Sequence, residues 1–347
     1  MQFSLRFKCL PGFLLFALLG ANSALFAGQV QAGTLDDVRK RGHIECGVTD
    51  GTPGLSVADG TGNWSGLGVD FCRALAAAVL GSKDAIKFSA LSPADRIKAL
   101  KSGAVDVLAS TTPWTLSFDT DFGIRFAGIL FYDGQGFLAK RSDVVSSVYE
   151  LSGTSICVMS GTGAEKALSD FFLPRQMKYQ AVVTGRWDDT VKAYAGTGCT
   201  VLTGDISTLA HERSLLSRPA DHILLPEMVS KEPLGPAVRL GDDQWFSIVR
   251  WTLMALLSAE ELGVTAENAE SMLTSPLLDV KRLLGTEGTL GGSLGLPADW
   301  AYQAIKQVGG YGEMFEHSFG VTSDMKLDRG FNELWTKGGL MYAAPLR

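Results

Sequence analysis

The stretch A-V-D-V-L-A-S-T-T-P-W-T-L-S-F-D-T-D-F-G-I-R-F-A-G-I-L-F-Y-D-G-Q-G-F-L-A-K-R, residues 104–141, decides how this chain is organised. Its opening, 105–109, reads as a strand. Its close, 127–141, is a long extended segment with no helical periodicity. Between them Ser110, Thr111, Thr112 and Thr115 supply hydroxyls around Trp114. Side chains alternate along an extended backbone, so these four cannot all face one ligand.

Upstream, the pattern alternates strand and helix. Residues 43–48 alternate apolar and polar side chains as a half-buried strand does. Asp70 is the expected N-cap of a helix with Phe71, Leu75 and Val79 on one face. A short strand follows at 86–88. A helix then runs from Pro93 to Ser102 and stops at Gly103. With the strand at 105–109 the order is β-α-β-α-β, which predicts a parallel α/β sheet. Downstream the alternation resumes, with strands at 155–159, 179–184, 200–203 and 223–225 and helices at 164–172, 188–194 and 207–215. A second extended segment at 234–240 precedes a long helix at 242–262. Two α/β units joined by two extended crossings are therefore expected. The tail, 263–347, has helical pieces such as 300–308 between glycine pairs. It is expected to be a helical extension packed on the first unit.

The bulk composition narrows the function classes. Of 347 residues, 46% are hydrophobic and 20% charged, which is enough apolar mass for a folded core and argues against disorder. The net charge is -6 with no long basic run, so no nucleic-acid or anionic-membrane surface is expected. Arg6 and Lys8, the apolar run 13–19, and Val30-Gln31-Ala32 have the order of a secretory signal cut after Ala32, with Ala27 as a second position. The apolar run is too short for a transmembrane helix. Cys9 leaves with that segment. Cys46, Cys72, Cys157 and Cys199 then remain, an even number suited to an oxidising compartment. Pairing Cys46 with Cys72 and Cys157 with Cys199 keeps each bridge inside one unit; four buried free thiols are the alternative. There is no C-x-x-C spacing, so no metal site is expected, and no cofactor is expected.

Several segments together resemble the periplasmic amino-acid-binding proteins of polar amino acid ABC importers. They are G-N-W-S-G-L-G-V-D-F-C-R-A-L-A-A-A-V at 62–79, R-I-K-A-L-K-S-G-A-V-D-V-L at 96–108 and Y-D-G-Q-G-F at 132–137. C-V-M-S-G-T at 157–162, S-K-E-P-L-G-P-A-V-R-L-G-D-D-Q-W-F at 230–246, D-W-A-Y-Q-A-I-K at 299–306 and L-W-T-K-G-G-L-M-Y-A-A-P at 334–345 complete the set. The resemblance implies a two-lobed periplasmic binding protein fold of type II with a two-strand hinge at 137–140 and 236–239. Lobe 1 would comprise 33–137 and 238–347, with the C-terminal extension from about 263, and lobe 2 138–237. A monomer in the periplasm is implied, which binds a small solute, closes over it, and docks on an inner-membrane ABC permease. The chain has no G-x-x-x-x-G-K-[ST] loop, so it is not the ATPase of such a system.

The resemblance also assigns a pocket. Asp205 would pair the ligand's ammonium, or else cap the helix at 207–215. Gly161, Thr162 and Gly163, between a strand and a helix, would offer backbone N–H groups to an anion, or else form an ordinary turn. Trp114 would stack on the ligand, or else pack in the core. Thr111, Thr112 and Thr115 are candidate donors. The lobe-one carboxylate clamp departs from the family: Pro113 stands where Thr or Ser is usual and Phe118 where Arg is usual. Three consequences stay open. Arg125 restores the lost charge, the ligand carries a different anionic arrangement, or the pocket is degenerate. Two other classes of function compete with transport. One is a dehydratase-like enzyme on the same fold, with Glu165 as its acid; the other is a sensor module.

Overall fold

The structure, a computed structural model, describes residues 1–4 and 33–347. The basic, apolar and cleavage features expected within 5–32 lie outside the described residues. No described helix is long and apolar enough to cross a membrane.

Two five-stranded sheets carry the fold. The first runs in the order Ile86–Ala90, Ile44–Val48, Val107–Leu108, Ala237–Arg239, Ile124–Phe126. Its first three strands are parallel, with Ile44 opposite Ile86 and Cys46 opposite Val107. Ala237–Arg239 is antiparallel to both neighbours. The second runs Tyr179–Thr184, Thr154–Met159, Val201–Asp205, Gln135–Lys140, His222–Leu224. Three parallel strands are again followed by an antiparallel one. The βαβ alternation in the sequence accounts for the parallel strands. The antiparallel strand in each sheet is the one arriving from the other half of the chain. It enters at the carboxyl edge of the parallel strands and so runs against them.

The sheets are joined by a two-stranded ribbon. Phe131–Asp133 leads out and Glu232–Leu234 leads back, with Glu232 opposite Asp133 and Leu234 opposite Phe131. This corrects the expected crossings. Residues 137–140 pair inside the second sheet and 237–239 inside the first, and the boundary expected at 137 falls within the strand Gln135–Lys140. The reason is burial: Phe137, Leu138, Ala139, Ala237 and Val238 are core residues. The ribbon ends at Gly134 and Gly235 instead. A Cβ on Gly134 would lie 2.5 Å from the Ser230 carbonyl oxygen, and one on Gly235 1.9 Å from that of Gly128. Only glycine permits that approach of two backbones.

The helix expected from Asp70 begins earlier, at Leu67, and ends at Leu80. Gly66 takes its N-cap position with φ +123°, where a Cβ would meet the Leu55 backbone at 2.5 Å. Asp70 lies in the first turn and pairs with Arg73 at 3.2 Å. The second helix, Arg96–Ser102, starts after Pro93 and closes on Gly103 in the left-handed region, as a C′ glycine does.

The tail packs on the first sheet's helices. Trp300–Val308 lies against Leu67–Leu80 and Asp243–Glu261, and Tyr311–Ser318 against the same pair. It also reaches the ribbon. Phe319 stacks on Phe131 with ring centroids 4.6 Å apart, and the Tyr311 hydroxyl donates to the Leu130 carbonyl at 3.0 Å. Asn332 accepts from the Tyr132 N–H and donates to its carbonyl, at 2.7 and 3.1 Å. Phe131, Phe315 and Phe319 are fully buried, each worth about 1.5–3 kcal/mol relative to exposure. Both expected disulfides are present. Cys46–Cys72 ties a strand to a helix beside the first sheet, and Cys157–Cys199 closes a 42-residue separation within the second.

Candidate functional site

Parallel strands gather polar residues at their carboxyl ends, where α/β sheets bind ligands. In the second sheet, Thr154–Met159 ends at a turn whose Gly161 has φ +74°, a conformation cheap only for glycine. Thr162 then N-caps the helix Gly163–Phe172. Its hydroxyl accepts from the Ala164 N–H at 3.3 Å and donates to the Met159 carbonyl at 2.9 Å. The first N–H groups of a helix have no intrahelical partner, and the helix dipole makes that end positive. The Gly161 N–H is already taken by Glu165 at 3.3 Å.

Asp205 ends the strand Val201–Asp205 and occupies the N-cap position of Ile206–Leu215, but its side chain makes no capping bond. Asp133 caps that helix from the ribbon: it accepts from the Ser207 N–H at 3.3 Å, from the Ser207 hydroxyl, and from the Gly134 N–H at 2.9 Å. The Asp205 carboxylate is thereby left open. Partial desolvation by the surrounding walls raises its pKa. Burial also pushes Asp133 up to about 7, and the Asp205 charge adds to the rise against the Ser207 and Gly134 donors.

Thr162, Gly163 and Asp205 line one cavity of about 420 Å³. Gln135, Trp187, Thr203, Thr208, Ser230 and Glu232 complete its polar and aromatic wall. The buried Gln135 donates to the Ala164 carbonyl at 3.1 Å and the Thr203 hydroxyl at 2.8 Å, and so holds the two loops together. Trp187 is held by Glu212 at 2.7 Å and lies so close to Gly204 that a Cβ there would meet its ring at 2.7 Å. The cavity is an acidic wall facing a helix N-terminus, suited to a small molecule with an ammonium and an anionic group.

The first sheet's expected residues do not line this cavity. The Thr111 hydroxyl donates to Thr49 at 3.3 Å, and the buried Thr112 shares a hydrogen bond with Ser110 at 2.9 Å. Thr115 caps the short helix Leu116–Thr120 through the Phe118 N–H. Trp114 stacks on Phe126 at 5.7 Å, against the cluster of Leu100, Val105, Leu108 and Ile124. Arg125 pairs with Asp243 at 2.8 Å and lies 4.2 Å over the Phe246 ring.

Sequence reasoning passed over Arg96, Gln135, Trp187 and Glu232. Arg96 is 8% exposed, and its Nε has no hydrogen-bond partner. Its guanidinium sits 6.0 Å from the Phe118 ring. It heads the helix that follows Ile86–Ala90, at the same carboxyl edge as Thr49 and Thr111. A buried polar group without a partner costs about 1–3 kcal/mol.

Residues 44–267 match the family described as bacterial extracellular solute-binding proteins, family 3. The general L-amino acid-binding periplasmic protein AapJ of Rhizobium johnstonii is 47% identical, over 96% of this chain and 99% of that one. The glutamate/glutamine/aspartate/asparagine-binding protein BztA of Rhodobacter capsulatus is 44% identical over 94% and 97%. A solved structure from Brucella ovis, an ABC transporter/periplasmic binding protein with glutathione bound, superposes with a TM-score of 0.79. It is 46% identical, and the match covers 91% of this chain and all of that one. The sheet wiring, the ribbon and the matched residues agree: the chain belongs to the bacterial extracellular solute-binding proteins, family 3.

Proposed function

We propose that this protein captures an L-amino acid, or a small solute built on one, and delivers it to an inner-membrane ABC permease. It works in the periplasm, after the signal at 1–32 has been removed. Lobe 1 comprises 33–137 and 238–347, lobe 2 comprises 138–237, and the lobes move about the ribbon. The observation that carries this reading is the open Asp205 carboxylate, freed from capping by Asp133 and set across one cavity from the Thr162–Gly163 helix end. Asp205 pairs the ammonium. The Thr162 and Gly163 N–H groups take an anionic oxygen.

Arg96 supplies the cation that Phe118 does not. Its unpartnered Nε is a donor awaiting an acceptor, and a carboxylate would satisfy it with a charge-assisted bond. Thr111 and Thr112, with their hydroxyls engaged nearby, shape that end of the site, and Arg125 stays outside it. Glutathione carries an amino-acid head on a longer body and fits the same grip, which the Brucella relative's ligand favours as a second reading.

Calorimetry and thermal shift with L-glutamate, L-glutamine, L-asparagine and glutathione test this, because binding to the native state raises its melting temperature. Saturable binding of at least one is expected. No stabilisation by any amine-bearing solute would overturn the reading.

A further inference from the structure

Glu232 belongs to none of the roles above, yet its surroundings are unusual. It lies on the returning strand of the ribbon, directly opposite Asp133. Opposed residues of an antiparallel pair point to the same face, so the two acidic side chains share it. Asp133 is fixed by Ser207 and Gly134. Glu232 is half-buried, its carboxylate is not sealed from solvent, and it forms no ion pair among the described residues. It lines the same cavity as Asp205 and Thr162. Burial, and then the Asp205 charge, push its pKa upward. A carboxylate without a cationic partner, lining one cavity with a second carboxylate, has an evident complement in a cation arriving with the ligand.

We infer that Glu232 is a specificity-determining residue: with Asp205 it brackets the ligand's ammonium, so the site selects solutes bearing a cationic amine over the same acids without it. The inference rests on the amino-acid reading above. Asp205 lies on the second sheet and Glu232 on the ribbon, so the ammonium is held from two separately anchored elements. The bracket disfavours any solute that brings only negative charge to that end of the cavity, because an uncompensated anion would face two carboxylates.

The probe is the ratio of affinities for L-glutamate and glutarate, which differ only by the amino group, measured by calorimetry on the full processed chain. The wild-type protein is expected to prefer L-glutamate. In Glu232→Gln the ratio falls by about tenfold, the equivalent of one pKa unit of charge interaction, and the loss comes from L-glutamate. Glu232→Asp keeps the charge and retains most of the preference; it also serves as the reading should Glu232→Gln fail to melt cooperatively. Asp205→Asn, read in parallel, establishes that the ratio responds to the ammonium. A ratio unchanged within about twofold in Glu232→Gln, while Asp205→Asn collapses it, overturns the role of Glu232 and leaves the amino-acid reading standing. A wild-type protein that binds both acids equally overturns this inference, and one that binds none of L-glutamate, L-glutamine, L-asparagine and glutathione removes the amino-acid reading with it.

Discussion

Thr111 and Thr112 beside the first sheet and Thr162 and Asp205 beside the second all lie at the carboxyl ends of parallel strands, yet their side chains are used differently. The first pair's hydroxyls bond to Thr49 and Ser110, and nearby Trp114 and Phe118 pack with aromatic neighbours. On the second sheet, Asp133 replaces Asp205 as the helix cap and leaves that carboxylate free. The first side therefore presents a largely self-satisfied surface with one buried, unpaired arginine. The second presents an open acid and a helix end. Affinity should depend steeply on a few groups of the second side, and on Arg96 alone among the charges of the first.

The largest expected effect tests the open acid. Asp205→Asn should weaken L-amino-acid binding by about a hundredfold, on the order of 3 kcal/mol, since it leaves a buried ammonium half-paired. Its melting temperature without ligand should not fall, because the side chain makes no capping bond and its charge is desolvated beside two other acids; a marked drop would return Asp205 to the role of cap. Arg96→Met comes next and should move two measurements in opposite directions. Binding should fall by about 2 kcal/mol, and stability without ligand should rise by about 1 kcal/mol as an unpartnered buried donor is removed. A loss in both would place Arg96 in the structural frame.

Asp133 gives a pH test. Its folded pKa, about 7, lies above the ordinary carboxyl value of 3.8, so between those values the folded chain holds a proton that the unfolded chain has released. Stability should therefore fall as pH rises through that window, by up to ~1.4 kcal/mol per pH unit for one proton. Asp133→Asn should flatten the profile measured by urea unfolding between pH 5 and 8; an unflattened profile would assign the slope elsewhere. The smallest effect is expected at Arg125. Arg125→Ala should leave binding within about twofold and cost under about 1 kcal/mol of stability, the scale of an exposed ion pair and a ring contact. A large loss of binding would show that Arg125 turns into the site, and would break the contrast between the two sides.

Much of this was readable from the sequence, for local reasons. The strand Tyr179–Thr184 and the helix Trp300–Val308 stand where their periodicities place them. The loop before Gly163 and the end of the strand at Asp205 announce themselves by glycine and aspartate at strand-to-helix turns. The ribbon was misplaced because the crossings expected at F-L-A-K, 137–140, and P-A-V-R, 236–239, are extended and largely apolar wherever they sit. Only the backbone contacts at Gly134 and Gly235 reveal where the chain passes between sheets. Arg96 and Glu232 were not legible at all. What marks them is the lack of a partner, and that belongs to the assembled structure rather than to any window of residues.

The two disulfides have a consequence of their own. Cys46–Cys72 spans 26 positions and Cys157–Cys199 spans 42, and neither interval contains a strand of the ribbon. Closing loops of that size restricts the unfolded chain by about 3–4 kcal/mol each. The covalent restraint thus falls on the two halves separately and places no tether across the ribbon. Oxidation should make each half harder to unravel without slowing the lobe movement proposed above, so durability and that movement could be tuned independently.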